Sequence, residues 1–237
     1  MTNQVENPNF IERFICLANS RKHSGRCIAG KRVSDDTWVR VIGTGQGHEI
    51  TEEDRRFKNG ASAQVLDVLS VPCHQVVPSG FQSENVLIDP HFYWSSTGRA
   101  SWQDVVALAV DQDLWIDGDG AYNCQNNRIS EHMINQVTTS LRLIYLENVT
   151  LQAGLKAPEF NNHKFIVRAG FVFNGQHYKL DVTDPFYERK CMQQGPGNYP
   201  IGPAVLCISL SEMHKANDQQ PAYAYKLVAS ILTEGDV

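Results

Sequence analysis

The stretch FICLANSRKHSGRCIAG, residues 14–30, limits this chain more than any other. Two apolar, β-forming flanks (residues 13–18 and 27–33) enclose a polar segment of Asn19, Ser20, Arg21, Lys22, His23, Ser24, Gly25 and Arg26. Half-buried strands on both sides of a short polar break read as an antiparallel hairpin. Centred near Arg21 and Lys22, that hairpin places Cys16 roughly opposite Cys27, with Gly25 the residue free to take a positive φ. A cationic tip on a two-stranded stem is suited to an anion, and the working expectation is nucleic acid.

Charge sharpens this expectation. The formal net charge is −5, which argues against a protein that coats a polyanion by bulk attraction. Residues 10–43 nevertheless hold seven Lys/Arg (Arg13, Arg21, Lys22, Arg26, Lys31, Arg32, Arg40) against three acids (Glu12, Asp35, Asp36). A solvated charged face would give the same count, so the cluster is a candidate site by its position in the hairpin rather than by its size.

With 237 residues, there is room for one large domain or two small ones. No apolar run approaches the ~20 residues of a membrane helix. The start MTNQVENPNF has no basic-then-apolar layout. The six cysteines form no CxxC pair, so neither a zinc ribbon nor a secreted disulfide framework is indicated. A reduced, cytoplasmic protein without membrane contact is the expectation.

Along the chain, Trp38-Val39-Arg40-Val41-Ile42 reads as a third strand, with Trp38, Arg40 and Ile42 on one face. Thr51 is a plausible N-cap for a short helix ending near Asn59-Gly60. A fourth strand over residues 63–71 stops at Pro72, and Val86-Leu87-Ile88 suggests a fifth. Ser101 caps a short helix, and residues 129–137 suggest another. Asp117-Gly118-Asp119-Gly120 lacks an oxygen ligand at the fifth loop position, Ala121, and so is no calcium loop. From Ser140 the chain is β-rich again, with Asn174-Gly175 the strongest hairpin signal, one or two helical turns over Phe186–Met192 after Asp184-Pro185, a Gly/Pro loop over 195–203 and two final strands. Three strands, a short helical piece and two more strands occur twice. The fold class is therefore mainly β with short helices: two OB-like Greek-key barrels (10–92 and 140–237) joined by a partly helical connector (93–139).

The segments CLANSRKHSGRCIAG, WVRV, TDP, LCISLSE and YKLVASI together resemble the prokaryotic dual OB domain-containing proteins, from about Arg13 to Leu232. The resemblance implies two OB-fold units and a nucleic-acid role in bacterial proteins that serve conflict or repair systems. It implies no catalytic residues. The positions that carry it are Asn19, Ser20, Arg21, Lys22, Gly25, Arg26, Cys27 and Gly30.

The leading expectation is a non-catalytic module that contacts DNA or RNA phosphates through Arg21, Lys22 and Arg26. Asn19 and Ser20 would act as further donors, Trp38 as a stacking face and Arg40 beside it. For Trp38 the competing role is barrel core. Cys16 and Cys27 read best as small core residues. Asp181, Asp184 and Glu188 offer a second reading, a metal-dependent nuclease, although Asp184 before Pro185 is equally a helix cap. A nucleotide- or protein-recognition module is a third reading. No cofactor and no metal site is indicated, since His91, His132, His163, His177 and His214 show no ligand spacing.

Overall fold

The structure is a computed structural model that describes residues 7–115, 120, 124–156, 164–215 and 221–236. The Asp117–Asp119 part of the acidic loop lies outside the described residues, as does His163. The chain divides into two compact units, Met1–Ala100 and Ser101–Val237.

In the first unit the strands are β1 (Phe10–Lys22), β2 (Gly25–Arg32), β3 (Trp38–Ile42), β4 (Asp67–Val76), β5 (Asn85–Ile88) and β6 (Ser95–Arg99). The pairs β1–β2, β2–β3 and β4–β5 are antiparallel, whereas β3–β5 is parallel. An antiparallel β1–β4 pairing closes the ring, and β6 adds to β4. This is a five-stranded barrel with the cyclic order 1-2-3-5-4-1. Alternate residues of each strand fill it: Phe14, Cys16, Ile28, Val39, Val41, Leu69, Val71, Cys73, Val86 and Ile88 are all buried in one cluster that also includes Trp94. Side chains of this size contribute about 1.5–3 kcal/mol each on burial. Burial raises the thiols of Cys16 and Cys73 to about 12, which leaves them packing groups rather than nucleophiles.

The hairpin differs from the expected one in register. Both strands run to the tip, so Asn19 pairs with Ile28, Ser20 with Cys27, Arg21 with Arg26 and Lys22 with Gly25. A bulge at Leu17, between Cys16 and Ala18, shifts the pairing by one. Cys16 therefore faces Gly30, and Cys27 faces Ser20. The turn is only His23-Ser24, and His23, not Gly25, has the positive φ of 47°. Gly25 is required for a different reason: a Cβ there would sit 2.5 Å from the Ile50 carbonyl oxygen.

Two more expectations are corrected in this unit. Residues 51–59 form turns rather than a helix, even though Thr51 and Asp54 exchange the reciprocal side-chain bonds of a capping box. Pro72 does not end its strand. It sits inside β4 opposite Ile11, and its carbonyl accepts from Asp89 N–H at 3.0 Å.

The second unit contains α1 (Trp102–Leu108), β7 (Arg128–Ser130), α2 (Glu131–Ile134), β8 (Leu141–Leu155), β9 (Phe165–Phe173), β10 (Gln176–Val182), α3 (Pro185–Gln194), β11 (Gly197–Leu210) and β12 (Tyr223–Leu232). Antiparallel β8–β9, β9–β10, β11–β12 and β8–β11 pairs combine with a parallel β10–β12 pair. The ring β8-β9-β10-β12-β11-β8 repeats the order of the first barrel. Asn174 and Gly175, at φ 49° and 74°, make the expected two-residue hairpin turn. The segment expected as a Gly/Pro loop is instead the start of β11, which bulges between Pro200 and Ala204. Of the stretch read as connector, Ser95–Arg99 belongs to the first sheet and Arg128–Ser130 pairs with β12. The helix expected over 129–137 is reduced to α2. Ser101 caps α1 through a reciprocal capping box with Asp104.

Candidate functional site

The basic hairpin is the connection between the first two strands of the first barrel. Arg21 is exposed at the tip and Lys22 half-buried beside it. Arg26 lies across from Arg21, and its backbone forms a two-way bridge with Ile50, both bonds 2.8 Å. Its guanidinium is 3.6 Å from Glu52, itself largely exposed. Ser24 Oγ donates to Glu49 Oε1 at 3.4 Å. The segment 43–66 thus returns to the hairpin and brings carboxylates with it. Counting charges along residues 10–43 missed them, because Glu49 and Glu52 are distant in sequence and adjacent in space.

Asn19 and Ser20 are turned to structure. Asn19 Nδ2 donates to the Ala63 carbonyl at 3.0 Å, which ties the stem to the same segment. Arg55 joins there, donating to Ala63 O at 2.9 Å and pairing with Glu52. Ser20 is 3% exposed. Trp38 and Arg40, expected to extend the surface along β3, are buried at 9% and 5% exposure. The Lys31 ammonium sits 5.5 Å from the Trp38 ring centroid, an internal cation–π contact. Arg40 is 3.4 Å from Glu84, with both side chains almost wholly enclosed. Such a pair needs each partner to offset the other's desolvation and is a poor phosphate ligand. The structure therefore gathers Arg21, Lys22 and Arg26 at one end, with His23 and Ser24 between them, and leaves Trp38 and Arg40 elsewhere on the barrel wall.

The acidic alternative does not converge. Asp184 is the N-cap of α3: its Oδ1 accepts from Phe186 N–H at 2.8 Å and Tyr187 N–H at 3.4 Å, and its Oδ2 from Ile231 N–H at 3.0 Å. Both oxygens are occupied, and burial raises its carboxyl above the ordinary value. Asp181 instead accepts from Arg168 Nε at 2.9 Å. A divalent cation at Asp184 would have to displace three backbone donors. A cleft of about 610 Å³ in the first unit is edged by Asn9, Thr44, His74, Asp89 and His91, a neutral-to-acidic set without a Lys or Arg. It offers no anchor for phosphate.

Two rings of order 1-2-3-5-4-1, each closed by an antiparallel first-to-fourth pairing and carrying a parallel third-to-fifth pair, are what a tandem of OB folds requires. A family model for the dual OB-containing domain matches residues 12–231. The chain belongs to this dual OB family. No curated protein and no solved structure matches it. Among the described residues no helix is long and apolar enough to cross a membrane. The OB assignment gives the hairpin a definite place, the β1–β2 loop of the first OB unit.

Proposed function

We propose that this dual OB chain is a non-catalytic module that binds nucleic acid, DNA or RNA, and that its first barrel makes the phosphate contacts through Arg21, Lys22 and Arg26. One observation carries the reading. The cationic hairpin is the strand 1–2 connection, and OB folds take up oligonucleotides on the strand 2–3 face and the loops between strands 1–2 and 4–5. Phosphate contacts supply position and most of the affinity, and three cations are enough for a local contact on an acidic protein. His23 and Ser24 add donors at the tip. The carboxylates of Glu49 and Glu52 limit the patch to the hairpin end and oppose general coating.

Fluorescence anisotropy with short DNA and RNA single strands, titrated with salt, tests this reading. Three phosphate contacts predict a slope of log K against log salt near about −2, at roughly −0.7 per single-strand contact. Arg21→Ala with Lys22→Ala should remove about two-thirds of that slope and most of the low-salt affinity. Binding that is absent at low salt, or unchanged in the double variant, removes the proposal. Cleavage of the labelled strand would replace it with an enzymatic one.

A further inference from the structure

The cleft of about 610 Å³ in the first unit lies where β1 begins and β3, β4 and β5 end. Asn9 precedes β1, Thr44 follows β3, His74 stands near the end of β4, and Asp89, His91 and Phe92 follow β5. The register explains why they meet. Phe10 pairs with Cys73, Cys73 with Ile88, and Ile42 with Leu87, so all four strands reach the cleft at one end of the barrel. The polar side chains there are oriented by bonds of their own. Asn9 Nδ2 donates to the His74 carbonyl at 2.9 Å and lies 3.4 Å from His74 Nδ1. An amide nitrogen only donates, so Nδ1 accepts and the ring proton sits on Nε2, where it is a donor. Asp89 Oδ1 accepts the His91 N–H at 3.1 Å across Pro90, and Asp89 N–H donates to the Pro72 carbonyl at 3.0 Å. This Asx turn sets the carboxylate at the cleft. Thr44 and His91, both exposed, add a hydroxyl and a second imidazole, and the half-buried Phe92 adds a flat apolar face.

Charge selects among ligands. The described lining holds one carboxylate and no Lys or Arg. An anionic ligand would face Asp89 with no cation in the lining to offset it. A purely apolar ligand would take water from Asn9, Thr44, His74, Asp89 and His91 and return no hydrogen bonds. A neutral ring that carries several hydroxyls meets both conditions. Each hydroxyl donates and accepts, which suits a wall of mixed donors and acceptors, and the C–H face of the ring packs against an aromatic side chain. The volume falls within the ~300–1,000 Å³ of small-ligand pockets.

We propose that this cleft binds a neutral sugar ring, with its hydroxyls on Asp89, His74 and Asn9 and its C–H face on Phe92. The hydroxyl chemistry is the same whether the ring belongs to a saccharide or is the ribose of a nucleoside. The site uses none of the hairpin cations and does not depend on the hairpin reading.

Ligand-observed NMR titration of the full chain tests it, with glucose, galactose, N-acetylglucosamine, ribose, adenosine and uridine, each beside its monophosphate ester. At least one neutral probe should bind, and its monophosphate should bind at least tenfold more weakly. Tighter binding of a hexose assigns the site to a saccharide, and tighter binding of ribose or a nucleoside assigns it to the ribose unit. Asp89→Asn keeps an acceptor for the His91 N–H. It should weaken the neutral ligand at least fivefold and narrow its advantage over the monophosphate. Arg21→Ala with Lys22→Ala should leave the affinity unchanged. If Asp89→Asn does not fold, Thr44→Val with His74→Phe, two exposed positions outside the barrel core, decides by a tenfold loss. No binding of any neutral probe, a monophosphate that binds as tightly as its neutral parent, or unchanged affinity in the cleft variants overturns the proposal.

Discussion

The two barrels close by the same cycle of pairings but cross from third to fourth strand differently. The second uses α3, with Pro185 in its first turn, Asp184 capping it, and Tyr187 and Cys191 buried beneath it. The first has no helix between β3 and β4. Its segment 43–66 runs back to the hairpin through the Ile50 bridge and through Ala63, which accepts from both Asn19 and Arg55. Both crossings begin with capping chemistry, since Thr51 and Asp54 exchange the same reciprocal bonds as a genuine cap. The difference arises just after the cap. Residues 52–58, EEDRRFK, offer one large apolar side chain, so there is no stripe to bury and nothing to offset helix nucleation. A cap marks where a helix can start. A buried face decides whether it does.

The largest expected effect separates the second strands of the two barrels. At Gly30 a new Cβ would lie 1.9 Å from the Ile15 carbonyl oxygen and 2.6 Å from Phe14, whereas at Gly170 the nearest atom, Thr150 O, is 3.7 Å away. Gly30→Ala should cost about 3 kcal/mol or prevent the first barrel from forming. Gly170→Ala should be close to neutral, within about 1 kcal/mol. Hydrogen exchange across urea, followed separately in β2 and β9 peptides, distinguishes them, and equal losses would contradict the packing difference.

Next is the cap on α3. Asp184→Ala strands three backbone donors, two of them at the helix start, and should destabilise the second barrel by about 2–3 kcal/mol in the same measurement. Thr51→Ala, which removes a cap with no helix behind it, should cost less than about 0.5 kcal/mol. If the two losses are similar, the first crossing depends on its cap as much as the second does, and the contrast fails.

The smallest effect is one of pH and distinguishes a buried cap from an exposed one. Burial raises the carboxyl of Asp184, while the hydroxyl and N–H of Ser101 lower that of the exposed Asp104. A carboxyl raised on folding contributes stability fully below its unfolded value near ~3.9 and loses it as the pH rises through the folded value. The contribution of Asp104 has the opposite sense, present above the unfolded value and lost as the pH falls through the lowered one. Carboxyl-carbon NMR titration should place Asp184 above Asp104, and the reverse order would mean that the three N–H bonds at Asp184 outweigh its burial.

Most strands were legible because the barrel fills by simple alternation, as Val39 and Val41 show on β3. The hairpin register was not, because a single bulge at Leu17 shifts every pair beyond it and leaves no mark in residue type. The burial of Trp38 and Arg40 could not be read either, because period two sorts residues onto faces but does not say which outer face is covered. The carboxylates at the hairpin came from a segment whose path cannot be read locally. Lys226 gave no signal at all, since a lysine in AYAYKLVASI looks like any solvent-facing strand residue. It is nevertheless 1% exposed, with its ammonium 5.4 Å from the ring of Tyr178, a residue far away along the chain.

The two-way bond between Arg26 and Ile50 has a thermodynamic consequence. Beside Arg26, strand β2 is flanked by β1 on one edge and by Ile50 on the other, so the hairpin is effectively three chains wide next to its tip. A tip held in this way arrives already ordered. Under the proposed function, its association with a strand should carry little conformational penalty on the protein side, a fast encounter governed by charge, and a small heat-capacity change that comes mainly from unstacking of the nucleic acid.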